Sequence, residues 1–210
     1  MESGELMRAF ANQKYTLDEY FELDRNSEEK WEYWDGYVWC MSGASLIHED
    51  IVSNTLHTLR LRLPAGCKTS ASNVRVKVPD YPPYRYPDIT IVCGKREQET
   101  VSGLELLLNP QVIIEVLSPS TEAFDRGAKF TYYKSIPSLR EYVMIATEEP
   151  YVTQLVKTSD TAWSIHDNLG LSAVLSLRTF DLEIPLTAIY FQVDFPPRRF
   201  IHPETERAFR

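Results

Sequence analysis

Val112-Ile113-Ile114-Glu115-Val116-Leu117 is an apolar run with one carboxylate in its interior, and it leads into Ser118-Pro119-Ser120-Thr121. Such a run, with almost no polar alternation, reads as a strand covered on both faces in the middle of a sheet. Serines and Thr121 offer several helix caps, so a helix is predicted over about 122–135, its end marked by Pro137. Glu141-Tyr142-Val143-Met144-Ile145 is strand-like again. Strand, helix and strand together have the length of a crossover unit, which points to an α/β fold.

Working outward, Asp88-Ile89-Thr90-Ile91-Val92-Cys93 is a second nearly continuous apolar strand. Before it, Val74, Val76 and Val78 alternate with Arg75 and Lys77, the pattern of a half-buried strand, and Pro79, Pro82, Pro83 and Pro87 punctuate a turn-rich connection. Leu46, Ile47, Ile51, Val52, Leu56, Leu59 and Leu63 recur at helical spacing, so 46–63 reads as an amphipathic helix capped by Ser45 and ended by Pro64. Asp35-Gly36 supplies a tight turn for a hairpin of about 30–34 and 37–41. Thr16 and Glu19 form a capping box for a short helix reaching about Leu23. Residues 94–109 read as a polar loop with one helical turn near Leu104. Further strands are expected at 151–157, 162–166 and 172–177, with a helical turn over 185–190. One domain over 1–193 is expected, with 1–15 as a loose lead-in and 194–210 as a tail.

The 210 residues carry a net charge of −8, from 22 Lys and Arg against 30 Asp and Glu. That balance weighs against holding DNA by bulk electrostatics, but an acidic metal site rimmed by a few cations remains open. In the tail, Arg198, Arg199, Arg207 and Arg210 face Asp194, Glu204 and Glu206, too small an excess for a nucleic-acid arm. No apolar run approaches the roughly 20 residues that cross a bilayer. The acidic N-terminus lacks a signal-peptide pattern. Cys40, Cys67 and Cys93 are odd in number and scattered, and they read as reduced structural residues in a cytoplasmic protein.

Two apolar strands each carry a carboxylate in an unexpected place. Asp88 stands at the start of one, after Pro87, and Glu115 interrupts the other. A carboxylate inside a sheet is costly unless paired or bound to a cation. If the strands are neighbours, both acids converge and, with a main-chain carbonyl, make a hard-oxygen site suited to magnesium. Such a site activates water and offsets charge on a phosphodiester. A nearby lysine would assist, and Lys129 is the candidate: Asp125, Lys129 and Tyr133 follow at spacings of four on one helix face. Taken singly, each has a plainer reading. Asp88 can end a proline turn, Glu115 can pair with Arg140, and Asp125 with Lys129 can be a solvated pair.

The string Pro87-Asp88, Asn109-Pro110, Ile114-Glu115-Val116-Leu117-Ser118-Pro119-Ser120-Thr121, Asp125, Lys129, Tyr133 and Glu141-Tyr142 is more specific together. It closely resembles a large bacterial family of restriction-endonuclease-like proteins, abundant in cyanobacteria and known as a domain of unknown function, within the PD-(D/E)XK nuclease superfamily. Glu32-Tyr33-Trp34-Asp35-Gly36 and the helix pattern of His48, Ile51 and Leu56 match the family as well. The resemblance implies a central mixed sheet flanked by helices with added antiparallel hairpins. It implies that Asp88 and Glu115, with the Val116 carbonyl, hold Mg²⁺ (Mn²⁺ able to substitute) for hydrolysis of DNA, or of RNA. The superfamily's lysine position falls on Leu117, and its role passes to Lys129. Glu32 would be a further acidic residue of the site, its plainer reading a hairpin-edge charge. His48 and Tyr133 would contact substrate, though His48 also reads as a helix-start packing residue. A homodimer is expected, because cutting two strands takes two sites. The rival reading is a nuclease fold without activity, serving as a nucleic-acid-binding or oligomerising module; the acidic net charge and Leu117 favour it.

Overall fold

The computed structural model describes residues 14–41, 43–79, 84–119 and 121–197. Most of the lead-in (1–13), Pro82, Pro83, Ser120 and the tail from 198 onward, with its four arginines, lie outside the described residues.

Helix α1 (Leu17–Asn26) opens with the expected capping box: Glu19 N–H donates to Thr16 Oγ1 at 3.3 Å, and Thr16 N–H donates to Glu19 Oε2 at 2.7 Å. Strands β1 (Trp31–Trp34) and β2 (Tyr37–Cys40) then form the Asp-Gly hairpin, with Asp35 at φ 43° and Gly36 at φ 88°. Positive φ at both central residues is what this tight turn demands. Helix α2 (Leu46–Arg62) starts at Ser45, whose Oγ accepts from His48 N–H. It is followed by β3 (Cys67–Ala71), β4 (Arg75–Lys77), β5 (Tyr84–Arg85), β6 (Ile89–Cys93), β7 (Gln98–Val101), β8 (Leu104–Leu107) and β9 (Val112–Val116). The predicted helix over 122–135 is broken into α3 (Glu122–Phe124), a π-helical turn (Asp125–Lys129) and α4 (Phe130–Tyr133). Strands β10 (Glu141–Ile145), β11 (Tyr151–Lys157), β12 (Trp163–Leu169), β13 (Val174–Leu177) and β14 (Leu182–Pro185) precede a closing turn, α5 (Leu186–Ile189).

Six strands form the main sheet in the order β12-β11-β10-β9-β6-β3. Only β9 and β10 run parallel, across the π-containing helical segment; the other pairings are antiparallel, so the sheet is mixed as expected. The run Val112–Val116 is indeed central and buried throughout. One face packs Ile89, Ile91, Val112 and Ile114 against Ile51 and Leu59 of α2 and against Ile184 and Ile189. On the other face Ile113, Leu117 and Tyr142 meet Tyr132 and Tyr133 of α4. Each such fully buried aliphatic contributes roughly 1.5–3 kcal/mol. A separate cluster of Tyr20, Phe21, Trp31, Tyr33, Tyr84 and Leu106 ties α1 and the first hairpin to β5 and β8.

Two expectations are corrected. Residues 94–109 are not a loop with a helical turn: Gln98–Val101 and Leu104–Leu107 form a hairpin about Ser102 and Gly103, both at positive φ, and this hairpin joins a four-stranded sheet β5-β4-β8-β7. Cys67 and Cys93 are not reduced thiols. They face one another directly across β3 and β6 and are joined by a disulfide, leaving Cys40 free. No helix among the described residues is long and apolar enough to cross a membrane.

Candidate active site

Register alone brings the two acids together. Ile89 pairs with Ile114 in the antiparallel β6–β9 ladder, so the next pair outward sets Asp88 opposite Glu115, on the same face. The Asp88 N–H points to Glu115 Oε2 at 3.4 Å. In the other direction, the Val116 N–H donates to Asp88 Oδ2 at 2.8 Å. Asp88 lies at the end of the sheet, whereas Glu115 is only 2% exposed.

The π-helical turn completes the cluster. It carries Asp125 and Lys129, both buried, and Lys129 Nζ lies 3.1 Å from Glu115 Oε1 and 3.1 Å from Asp125 Oδ1. A widened turn of this kind is often found at functional sites, because it re-aims a side chain that a regular helix would direct elsewhere. Lys129 thus reaches Glu115 from the helical segment that follows β9, while position 117 holds a buried leucine. Arg140, the plainer partner considered for Glu115, is not the one; Lys129 is. Tyr133, expected to touch substrate, is fully buried, and its hydroxyl donates to Glu115 Oε1 at 3.0 Å. Its contact is with the acid rather than with anything outside the protein.

The charges are under tension. Burial pushes the Glu115 carboxyl up to about 8, with Asp88, Asp125 and Glu32 adding to the rise against the pull of Lys129. For Lys129 burial acts downward, but Glu115, Glu32 and Asp125 outweigh it and hold the ammonium well above the ordinary lysine value. It stays a cation at neutral pH. On the far side of Asp88, His48 Nε2 is 3.2 Å from Asp88 Oδ2. Burial lowers its imidazole, Asp88 more than restores it, and the net is a rise.

Glu32 is no hairpin-edge charge. Trp31 and Tyr33 turn into the aromatic cluster, which sends the intervening Glu32 the other way, into the protein. There Oε2 accepts from Arg85 Nη1 at 2.6 Å and Oε1 accepts the Tyr86 N–H at 3.1 Å. Burial raises the Glu32 carboxyl, but Arg85, Lys129 and the Tyr86 N–H together bring it below its usual value. The sequence reading missed Arg85, which is 1% exposed and lies near the rings of Trp39, Phe124 and Tyr132. An arginine between Tyr84 and Tyr86 carries no spacing signal; its place beside the Pro87-Asp88 motif was the one available hint.

The donor set suits a hard cation: two carboxylates and a main-chain carbonyl on adjoining strands. Burial raises the Glu115 carboxyl despite Lys129 beside it, and a divalent ion bound there would favour the carboxylate. Among the described residues, no three His, Cys, Asp or Glu side chains already stand as a ligand set. Glu115 Oε1 is held instead by Lys129 and Tyr133, and Asp88 Oδ2 by the Val116 N–H and His48. The acids are positioned by protein donors.

The mixed sheet therefore sets an aspartate and a glutamate opposite one another on neighbouring strands, with a lysine reaching the glutamate. Residues 17–188 match the family model Uma2, described as "Putative restriction endonuclease", and the chain belongs to that family. Two uncharacterized proteins of Synechocystis sp. are similar: slr1290, 31% identical over 84% of this chain and 92% of its own length, and sll1609, 29% identical over 75% and 89%. A crystal structure from Anabaena variabilis, described as "a putative nuclease belonging to DUF820", has the same fold, with a TM-score of 0.68 at 17% identity, covering 84% of this chain and 97% of that one.

Proposed function

We propose that this chain is a magnesium-dependent endonuclease that hydrolyses DNA phosphodiester bonds, with Mn²⁺ able to replace Mg²⁺. The observation that carries the reading is the apposition of Asp88 and Glu115 with Lys129 Nζ 3.1 Å from Glu115. Asp88, Glu115 and the Val116 carbonyl would hold the cation, which when bound supplies Lewis acidity toward water and charge compensation toward the phosphodiester. Lys129, kept protonated by its acidic neighbours, offers fixed positive charge where negative charge develops on the phosphate. Tyr133 fixes the rotamer of Glu115 through its hydroxyl. Glu32 is a positioning residue: through Arg85 and the Tyr86 N–H it anchors the backbone two residues before Asp88. Two copies acting together would serve the two strands of a duplex, which is why a homodimer belongs to the proposal.

The test is cleavage of supercoiled plasmid, linear duplex and single-stranded RNA in Mg²⁺ or Mn²⁺ by the wild type, Asp88→Asn and Glu115→Gln, with circular dichroism confirming each fold. Cleavage by the wild type that both variants lose is the expected result. Wild-type rates in either variant would refute the assignment. A folded wild type inert on every substrate would favour the rival reading, a nucleic-acid-binding or oligomerising module, to which the net charge of −8 and Leu117 lend weight.

A further inference from the structure

We propose that Arg60, Lys68 and Arg96, gathered around edge strand β3, hold the backbone phosphates of duplex DNA a few base pairs from the scissile bond. This rests on the nuclease reading above and gives it a surface for the flanking duplex.

β3 is the outermost strand of the main sheet, and three cations converge on it. Arg60 Nε, in the last turn of α2, donates to Thr69 Oγ1 at 3.3 Å. Arg96 Nη2, between β6 and β7, donates to the Thr69 carbonyl at 3.2 Å and to Ser70 Oγ at 2.8 Å. Lys68 stands on β3 itself. With Leu63, Cys67 and Thr69 they line one concavity of about 300 Å³ that has no acidic side chain in its wall. Glu97 follows Arg96 in sequence but is exposed and lies outside that wall.

The charge balance singles the place out. In a chain of net charge −8, cations elsewhere are answered: Arg75 meets Asp24, Lys77 meets Glu99, Arg126 meets Glu122 and Lys157 meets Asp160. Among the described residues, Arg60, Lys68 and Arg96 form no ion pair. Hydroxyls and a carbonyl aim the two guanidinium groups and leave their charge unspent, which suits them to phosphate oxygens. A lysine alone would suffice to keep an edge strand from pairing. Two arginines brought in from other elements go beyond that need.

The position fits a duplex engaged at the acids. Lys68 and Ser70 pair with Val92 and Thr90, which share a face of β6 with Asp88. Thr69 pairs with Ile91, three residues along from Asp88. At roughly 3.4 Å per residue and 4.8 Å between strands, the cations stand on the order of 10–15 Å from Asp88. A duplex advances about 3.4 Å per base pair, so that span is about three to four base pairs.

Fluorescence anisotropy of a labelled DNA duplex with the full-length protein in chelator, where cleavage does not compete, tests this. Arg60→Gln, Lys68→Gln and Arg96→Gln together should weaken binding about tenfold or more near 0.1 M salt and flatten the dependence of log K on log salt by about 2–3. Lys134→Gln, Arg140→Gln and Arg178→Gln remove the same charge from exposed positions elsewhere and should leave both quantities nearly unchanged. Equal losses in the two triple variants would reduce the effect to net charge and overturn the proposal. So would wild-type affinity and slope in the first triple; if Asp88→Asn still abolished cleavage, the nuclease reading would stand. Stronger binding of single-stranded RNA than of duplex would overturn the choice of DNA, and a wild type that binds neither would overturn both readings. Should the first triple fail to fold by circular dichroism, the three single variants decide, each expected to lower the slope by about 1.

Discussion

Replacing Arg85 with methionine keeps a long side chain against Trp39, Phe124 and Tyr132 but leaves Glu32 buried without its main counter-charge. Arg85 and Glu32 have side chains 1% and 9% exposed and meet at 2.6 Å, so solvent screening is slight. Removing one member of a buried pair typically costs about 3–5 kcal/mol, most of it the burden of the uncompensated partner. For a chain of this length each kcal/mol lowers the melting midpoint by roughly 2–4 °C, so Arg85→Met should fall by about 6–20 °C. Glu32→Gln combined with Arg85→Met removes both charges and keeps an acceptor for the Tyr86 N–H. The double variant should recover at least half of the single variant's loss. Urea unfolding of the wild type, both singles and the double, followed by circular dichroism, closes the cycle. A loss below about 1 kcal/mol in Arg85→Met, or a double variant no more stable than the sum of the singles predicts, would show that the Arg85–Glu32 pair does not carry this stability.

Lys129→Met should lower the cleavage rate by about two orders of magnitude or more while leaving divalent-cation binding by Asp88 and Glu115 in place; parallel rate measurements and calorimetry check this. In the metal-free protein, Glu115 titrates near 8 when folded and near 4.5 when unfolded, so its favourable contribution is complete below about 4.5 and is lost as pH rises through about 8. Urea midpoints in chelator should thus fall between pH 6 and 9 for the wild type and stay flatter for Glu115→Gln. The Glu32 carboxyl lies below its usual value, so its contribution runs the other way: it is present above about 4.5 and lost as pH falls through the lowered value, a loss that Glu32→Gln should not show in acid unfolding curves.

Much of this arrangement was legible because periodicity survives folding. The helix Leu46–Arg62, the Asp35-Gly36 hairpin and the two apolar strands are local patterns, and the convergence of Asp88 with Glu115 follows once those strands are neighbours. What escaped depends on partners distant in sequence. Cys67-Lys68-Thr69-Ser70-Ala71 is an edge strand with only Ser70 buried, so it lacks the alternation that marks a half-buried strand. The hairpin about Ser102 and Gly103 was hidden in a polar stretch whose role is to join a second sheet. Arg85 finds Glu32 across 53 positions and Cys93 finds Cys67 across 26, and neither pairing leaves a trace in spacing. The π-helical turn is likewise silent in sequence, since Asp125 and Lys129 sit four apart in either kind of helix. It carries the lysine that meets Glu115.

The most direct test is a crystal of the protein soaked in Mn²⁺, with anomalous scattering recorded at the manganese edge. A peak is expected between Asp88 and Glu115, with the Val116 carbonyl within bonding distance. Well-ordered density for both carboxylates with no anomalous peak between them, at millimolar Mn²⁺, would contradict it.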